Sequence, residues 1–558
     1  MGLRPGRGAG VVGGPAPLLT QMTSSHADVL LVGYELQDNL GLRSIAATLI
    51  ANGYRVQVEP YAPGDPSRVL QAVQATKPVL IGLSVIFQYT IDGLAELAGA
   101  LREAGCPSHI TMGGHFPSMR PREVLEHIPA IDSVVCFEGE LTALELLRNI
   151  DRPEAWGRIK GLAYRRKGEI WLTPPRPLVA DLDDLPWPVR GQPRRLSRGV
   201  KAASIAASRG CWYDCSFCSV RQFYGSAPGS LRRSRSPTAV VDEMSELHQR
   251  DGVRYFVFQD DDFAAKTPNQ QAWVNGFLDE MATQSLVGKV AWRMACRADE
   301  IVEPILRRCQ EHGLVLVYVG FDAGSEVELQ RINKRATLAQ SLAAVEVLKR
   351  LGLAFEMGFM LFHPDSRLDT VRDSLGFLRS VADDGSCFIL PSRMLPYAGT
   401  PIERRLHREG RLVGSWSRPH YAFLDPRLDW YYRFTERVFR HENTDVLGLV
   451  NRLRHAQLDR ALAAVLVGAP WVDAYGEALA RLTAQVNAAK LFTLERALDF
   501  VAERDEDGIA SHWHLLGHLA RRQGSVHTRQ HRELDALLAE FAPETLATFK
   551  AAARFAAA

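Results

Sequence analysis

Short apolar runs ending in glycine or a polar turn alternate with helically spaced segments along the first part of this chain. Asp28-Val29-Leu30-Leu31-Val32-Gly33 has the pattern of a buried parallel strand. Residues 39–52 follow with Leu42, Ile45, Ala46 and Leu49 on one helical face, and Gly53 closes the helix. The cycle repeats, predicting strands at 55–59, 79–83, 109–112 and 133–136 and helices at 66–75, 91–104, 121–127 and 141–149. Five strands alternating with helices make a doubly wound α/β sheet, whose ligand crevice lies beyond the carboxyl ends of the strands.

The texture then changes. A hairpin is predicted within 161–172, Pro174, Pro175 and Pro177 break it, and residues 181–188 form a rigid proline-punctuated connector. From residue 200 strands recur at 202–207, 255–259, 289–296, 314–321, 355–362 and 386–395, with helices at 237–250, 270–284 and 338–351 among the intervals, which makes six β/α units. After residue 402 Leu, Ala and Arg dominate and a mainly helical region is predicted, either a cap over a substrate channel or a stabilising bundle. The organisation read from this is an extension at 1–26, an α/β domain at 27–150, a linker with a hairpin at 151–199, a β/α domain at 200–401 and a helical domain at 402–558.

Composition narrows the class. The 558 residues exceed one ordinary core, and 46% hydrophobic with 23% charged residues is globular. A formal net charge of +2 gives no sign of a partner such as nucleic acid or a membrane surface. No apolar run reaches the ~18 residues of a spanning helix. Residues 2–17 lack the apolar core of a secretory signal, and Met22 is a candidate start. Eight cysteines in so long a chain are no disulfide scaffold, so a reducing, cytoplasmic setting is expected.

Three of those cysteines carry the most specific chemistry. Cys211, Cys215 and Cys218 stand in the run Arg209-Gly210-Cys211-Trp212-Tyr213-Asp214-Cys215-Ser216-Phe217-Cys218. Thiolates at this spacing converge on one soft centre from a single loop. The residues alone leave open a zinc loop borrowing a distant ligand, or three unrelated buried thiols. The spacing Cys-x3-Cys-x2-Cys, with Phe217 before the last cysteine and a predicted strand before the loop, resembles the signature of radical S-adenosylmethionine enzymes. The resemblance implies a partial (β/α)6 TIM-type barrel and a [4Fe–4S] cluster held by Cys211, Cys215 and Cys218. It also implies an open iron that chelates S-adenosylmethionine, whose reductive cleavage yields a 5′-deoxyadenosyl radical.

The loops at the strand ends of the first domain extend the resemblance. They hold Asn39 and Leu40 within 34–40; Ser84, Val85, Phe87 and Gln88 within 84–89; Gly113-Gly114-His115-Phe116-Pro117; and Phe137-Glu138-Gly139-Glu140. Each alone is ordinary turn chemistry, though paired glycines permit close backbone approach. Together they resemble the Rossmann-like cobalamin-binding domain of class B, cobalamin-dependent radical enzymes. The Asp-x-His-x-x-Gly pattern that brings a histidine to cobalt is absent after the first strand. The cobalamin lower face is therefore expected against 34–40 or 84–89, with His115 as a peripheral contact.

In the second domain the same resemblance assigns cofactor contacts to Asp260, Asp261 and Asp262, to Asp322 in Gly320-Phe321-Asp322-Ala323-Gly324-Ser325, and to Gly358. Arg297 is expected to pair with a carboxylate or substrate. Arg393 and Tyr397 fit a substrate pocket, with Tyr397 equally readable as packing. Cys106, Cys136, Cys296 and Cys309 read as core, and Cys387 as core with a redox role as the lesser alternative.

Two such cofactors in one chain imply a methyltransferase. A methyl group would pass from S-adenosylmethionine through cobalamin to an unactivated carbon, with phosphorus the lesser alternative, of a small specialised metabolite or peptide. A flavodoxin or ferredoxin is the expected electron donor. The competing readings are a cobalamin-dependent radical oxidoreductase or cyclase without methyl transfer, and a non-catalytic corrinoid-binding iron–sulfur protein.

Overall fold

The computed structural model describes residues 27–550 apart from 36–37, 264, 446, 469 and 548, so the expected extension at 1–26 lies outside the described residues. The first sheet contains β1 (Val29–Gly33), β2 (Val56–Pro60), β3 (Leu80–Ser84), β4 (His109–Gly113), β5 (Ser133–Val135), β6 (Leu162–Arg166) and β7 (Glu169–Leu172). Their order is β2-β1-β3-β4-β5-β6-β7, with β1 to β5 parallel and β6 and β7 antiparallel. The helices at Leu40–Ala51, Ser67–Thr76, Ile91–Glu103, Pro121–His127 and Glu140–Arg148 agree with the periodicity to within a residue or two. One assignment is revised. The hairpin read as part of a linker is β6–β7 and extends this sheet, because Val135 of β5 pairs with Leu162 and offers β6 an open edge.

Short β8 (Arg194–Arg195) leads into β9 (Lys201–Ile205), and β10 (Ser208–Arg209) pairs with β11 (Arg233–Ser234). The second large sheet adds β12 (Val253–Phe258), β13 (Ala291–Arg297), β14 (Leu314–Asp322) and β15 (Ala354–Phe359), in the order β8-β9-β12-β13-β14-β15. This is an open half-barrel of five parallel strands with a short antiparallel edge. The sixth unit is present only as an extended segment touching the barrel through a Phe362–Arg393 bridge, since Pro391 and Pro396 remove ladder donors on either side. On the outer face Phe258, Phe263, Phe277 and Trp292 interlock edge-to-face under the helices Pro237–Asp251 and Pro268–Thr283.

Past residue 401 the chain is mainly helical, with one exception that its glycine-poor composition conceals. The hairpin β16 (Leu412–Gly414) and β17 (Pro419–Tyr421) straps the first domain, where Arg418 meets Asp92 at 3.1 Å and the Trp416 carbonyl accepts from Gln88 at 2.7 Å. Long helices follow at Pro426–Thr444, Leu449–Leu466, Val472–Ala502 and Glu506–Phe541. Ala461 and Leu462 pack against Ala202, Tyr255, Ala291, Leu316 and Ala354, which face away from the outer aromatic cluster. Helix Leu449–Leu466 thus plugs the concave side of the half-barrel at the amino ends of its strands, opposite the cysteine loop. Among the described residues no helix is long and apolar enough to cross a membrane.

Candidate functional site

The cysteine loop is fastened at both ends. Between β10 and β11 the chain leaves through Gly210, whose φ is 87° and whose missing Cβ would stand 1.9 Å from the Leu231 carbonyl oxygen, so only glycine fits. Three successive carboxylates at the end of β12 then take separate tasks. Asp260 turns inward, accepting from the Ala207 amide at 3.0 Å and from the Ser208 hydroxyl, and burial pushes its carboxyl up to about 6. Asp261 accepts from the Gly210 amide at 2.9 Å and lines a large cavity. Asp262 stands 3.9 Å from the Cys211 sulfur; burial, and then the carboxylate of Glu300, push it well above the usual range.

The three thiols have unequal surroundings. Cys215 is buried whereas Cys211 and Cys218 are half-buried, and desolvation pushes Cys211 and Cys218 up to about 12 and raises Cys215 as well. Arg297 donates to the Cys215 sulfur at 3.6 Å, and the buried Lys334, ion-paired with Asp322, acts on the same sulfur. Asp322 holds a left-handed φ of 66°, which turns its carboxylate back onto Lys334. Phe217 packs on the barrel core and on Leu329 and Ile332, which sets the loop's height above the sheet. Among the described residues no group of three His, Cys, Asp or Glu side chains is gathered to hold a single metal ion. Three soft thiols in one loop, flanked by cations on one side and carboxylates on the other, suit an anionic iron–sulfur cluster.

Opposite this loop lie the strand ends of the first domain. Asn39 caps helix Leu40–Ala51 through the Leu42 amide at 3.1 Å and donates to Ser84 at 3.2 Å, spanning the crevice where strand order reverses between β1 and β3. Gly114 has φ 110°, and a Cβ there would lie 2.1 Å from the Val85 carbonyl oxygen. Its bareness therefore lets two loops of the protein close on each other. Gly113 and Gly139 are less tight, a Cβ lying 3.1 Å from the Val135 carbonyl oxygen and 2.8 Å from the Ile45 side chain. His115 is half-buried and lies flat on Phe223 of the second domain, ring centroids 4.2 Å apart, and desolvation lowers its pKa to about 4, leaving it neutral.

These two sets of loops enclose one cavity of about 550 Å³. Leu40, Ser84, Phe87, Gly114 and Glu138 line it from the first domain and Arg209, Asp261, Phe223, Tyr224 and Tyr397 from the second. The proline connector, far from being a mere joint, contributes Leu185, Pro186, Trp187 and Pro188 to the wall. Phe87 and Tyr89 stack with centroids 5.6 Å apart and are each 48% exposed. Gln88 lines the cavity, but both ends of its amide are engaged, by the Trp416 carbonyl and by the Ala398 amide at 3.0 Å. Gly358 leaves room for Tyr318, whose hydroxyl would be 2.8 Å from a Cβ at that position. A cradle of glycines, apolar walls and a neutral imidazole suits a large, flat, largely neutral ligand such as a corrin.

Sequence reasoning missed Lys334, Arg209 and Glu300. Arg209 directly precedes the loop and was visible only as a neighbour of the motif; Lys334 and Glu300 had no local signal, because burial beside Cys215 and Asp262 is a tertiary fact. The remaining cysteines, including Cys387, are buried, and burial pushes the Cys387 thiol up to about 12, as expected of core positions.

Comparison with known proteins agrees with this geometry. Residues 25–147 match the B12 binding domain family and residues 205–378 match the radical SAM superfamily. An uncharacterized methyltransferase of Pyrococcus horikoshii is 27% identical over 378 residues, covering 67% of this chain and 78% of that protein. An anaerobic magnesium-protoporphyrin IX monomethyl ester cyclase of Cereibacter sphaeroides is 27% identical over 360 residues, covering 63% of this chain but only 55% of the cyclase. The solved structure of the cobalamin-dependent S-adenosylmethionine radical enzyme OxsB, with aqua-cobalamin and S-adenosylmethionine bound, shares the fold. Its TM-score is 0.66 at 16% identity, over 94% of this chain and 83% of that one.

Proposed function

We propose that this chain, a member of the cobalamin-dependent radical S-adenosylmethionine family with its B12 binding domain ahead of its radical domain, is a methyltransferase acting on an unactivated carbon of a small specialised metabolite or peptide. The observation that carries the reading is the single cavity walled by the strand ends of both domains, with the cysteine loop beside it. The likeness to a protein named as a methyltransferase supports the transfer step.

When bound, the [4Fe–4S] cluster supplies the electron that cleaves S-adenosylmethionine, and cobalamin supplies a methyl carrier that can react with a substrate radical. In this reading Cys211, Cys215 and Cys218 hold the cluster, and their number leaves it one position short of full protein ligation. Asp261 and Asp262 face the ammonium of the nucleotide's methionine part, a role that Asp260, turned inward, leaves to them. Asn39, Leu40, Ser84, Phe87, Gly113, Gly114, His115, Glu138 and Gly139 bound the corrin site, whereas Val85 is buried behind it and does not line the cavity. His115 serves it with a flat neutral face, since its ring is stacked on Phe223. Gly358 and Tyr397 shape the space between nucleotide and substrate. The enclosed walls keep water from the reacting centres, and most of the protein's contribution is placement.

The test is anaerobic reconstitution with iron, sulfide and cobalamin, followed by mass analysis after reduction in the presence of S-adenosylmethionine. Methyl transfer predicts S-adenosylhomocysteine together with 5′-deoxyadenosine and a substrate heavier by one methylene. A second reading, radical ring formation, is favoured by the likeness to the cyclase and predicts 5′-deoxyadenosine without matching S-adenosylhomocysteine. A Cys215→Ala chain that still released 5′-deoxyadenosine would exclude both, and a corrinoid-binding protein without turnover would release none in the wild type.

A further inference from the structure

We propose that Arg297 is a positioning residue for the cluster, donating a hydrogen bond to the Cys215 sulfur and thereby raising the cluster's reduction potential. This rests on the reading that the three cysteines hold a [4Fe–4S] cluster. The guanidinium is fixed on every side. Its Nη1 donates to the Cys215 sulfur at 3.6 Å, its Nε to Asp299 at 2.9 Å and its Nη2 to the Lys334 carbonyl. Its flat face lies 3.7 Å from the centre of the Tyr213 ring. Asp299 is held in turn by Lys266 at 2.7 Å. Each nitrogen of Arg297 is thus engaged within the protein, so of the two partners expected from its sequence position it takes a carboxylate, that of Asp299, rather than a substrate.

The surroundings are polarised. Cys215 faces two buried cations, Arg297 and Lys334, of which Lys334 is partly offset by its partner Asp322, whereas Cys211 and Cys218 feel the carboxylates of Asp262 and Asp261 without a cation beside them. A hydrogen bond to a cluster sulfur withdraws electron density and favours the reduced, more negative state, and burial prevents solvent from screening the effect. The cationic side of the loop is therefore where an incoming electron is best accommodated. An exposed arginine at the same distance would do little.

The full chain, reconstituted anaerobically with iron and sulfide and without S-adenosylmethionine, is titrated with a low-potential reductant while the reduced cluster is followed by electron paramagnetic resonance. Arg297→Gln is expected to keep its iron and sulfide content and to move the midpoint to more negative potential, with Arg297→Lys moving it less. A full cluster with an unmoved midpoint in Arg297→Gln overturns the proposal. Should that variant take up no cluster, the wild type labelled with 15N-arginine decides: pulsed resonance is expected to detect a nitrogen coupled to the reduced cluster, and its absence overturns the proposal. A wild type that assembles no cluster overturns the reading of the cysteine loop itself, and the role of Arg297 with it.

Discussion

Arg209, two residues before the first loop cysteine, donates to Glu140 of the first domain at 2.7 Å. The same guanidinium reaches Glu138 at 3.2 Å and the Ser44 hydroxyl at 3.2 Å. Burial works against its charge, but the two carboxylates more than offset that and raise its pKa. One side chain therefore ties loop 137–140 of the first domain to the cysteine loop. Replacing Arg209 by Met strands Glu140 as a buried, unpaired carboxylate and should destabilise the chain by about 3–5 kcal/mol. The double variant Arg209→Met/Glu140→Leu should recover much of that loss in denaturant unfolding. Additive losses would show that the pair is not coupled.

Gly114→Ala places a methyl group 2.1 Å from the Val85 carbonyl oxygen at a φ that alanine avoids. The loops must part, at a cost of about 2–4 kcal/mol. Because the strain falls on the first domain, cobalamin retained after reconstitution should drop severalfold while iron per chain stays unchanged. Equal loss of both would mean that the two sites do not assemble separately.

Much of this was readable along the chain, and the reasons for the rest are physical. The five parallel strands of the first domain and the strands β9, β12, β13, β14 and β15 that build the half-barrel carry their own apolar runs, and the cysteine loop its own spacing. What escaped depends on partners distant in sequence. Residues 161–172 gave a hairpin but could not reveal that β5 leaves an edge for it. Asp260, Asp261 and Asp262 looked equivalent, yet only the position of Ser208 and Gly210 decides which of them turns inward. The amide of Gln88 is engaged by residues more than 300 positions away, and nothing local announces such a contact.

Lys490 lies fully buried on helix Val472–Ala502, paired with Glu442 and donating to the Ile389 carbonyl at 2.6 Å. It binds the helical region to the segment that replaces a sixth strand. Lys490→Met should cost about 3 kcal/mol, since Glu442 stays buried with only His527, 2.9 Å away, to balance it. The thermal midpoint should fall while cluster content in the folded fraction is unchanged. Cluster loss at unaltered stability would instead favour a direct role for the helices at the site.

Gly358→Ala tests the nucleotide contact proposed for this residue. The added methyl group would meet the Tyr318 hydroxyl at 2.8 Å, and this ring, 37% exposed, has room to swing aside. Stability should change by less than about 1.5 kcal/mol. The apparent KM for S-adenosylmethionine in 5′-deoxyadenosine release should rise severalfold, with cobalamin retention intact. An unchanged KM would remove Gly358 and Tyr318 from the nucleotide site.

The imidazole of His115, stacked on Phe223, offers a test by pH. Burial lowers its pKa from 6.5 to about 4, so in the unfolded chain it takes up a proton that the folded chain refuses. Above pH 6.5 it is neutral in both states and contributes no slope. As pH falls from 6.5 towards 4 the unfolded state binds more protons, and stability drops by as much as about 3 kcal/mol. Asp260 acts in the opposite sense, because a carboxyl raised to about 6 gains its proton first in the folded state and adds stability over the same window. The wild-type profile is thus a sum of opposing slopes, with His109, lowered to about 4, reinforcing His115. His115→Phe keeps a flat ring against Phe223 and removes only the titrating group. The wild-type-minus-variant difference in thermal midpoint of the ligand-free chain should be flat above pH 6.5 and grow in the variant's favour down to pH 4. A constant difference across that range would mean that the imidazole is protonated as readily in the folded chain as in the unfolded one, and so is not enclosed at the domain boundary.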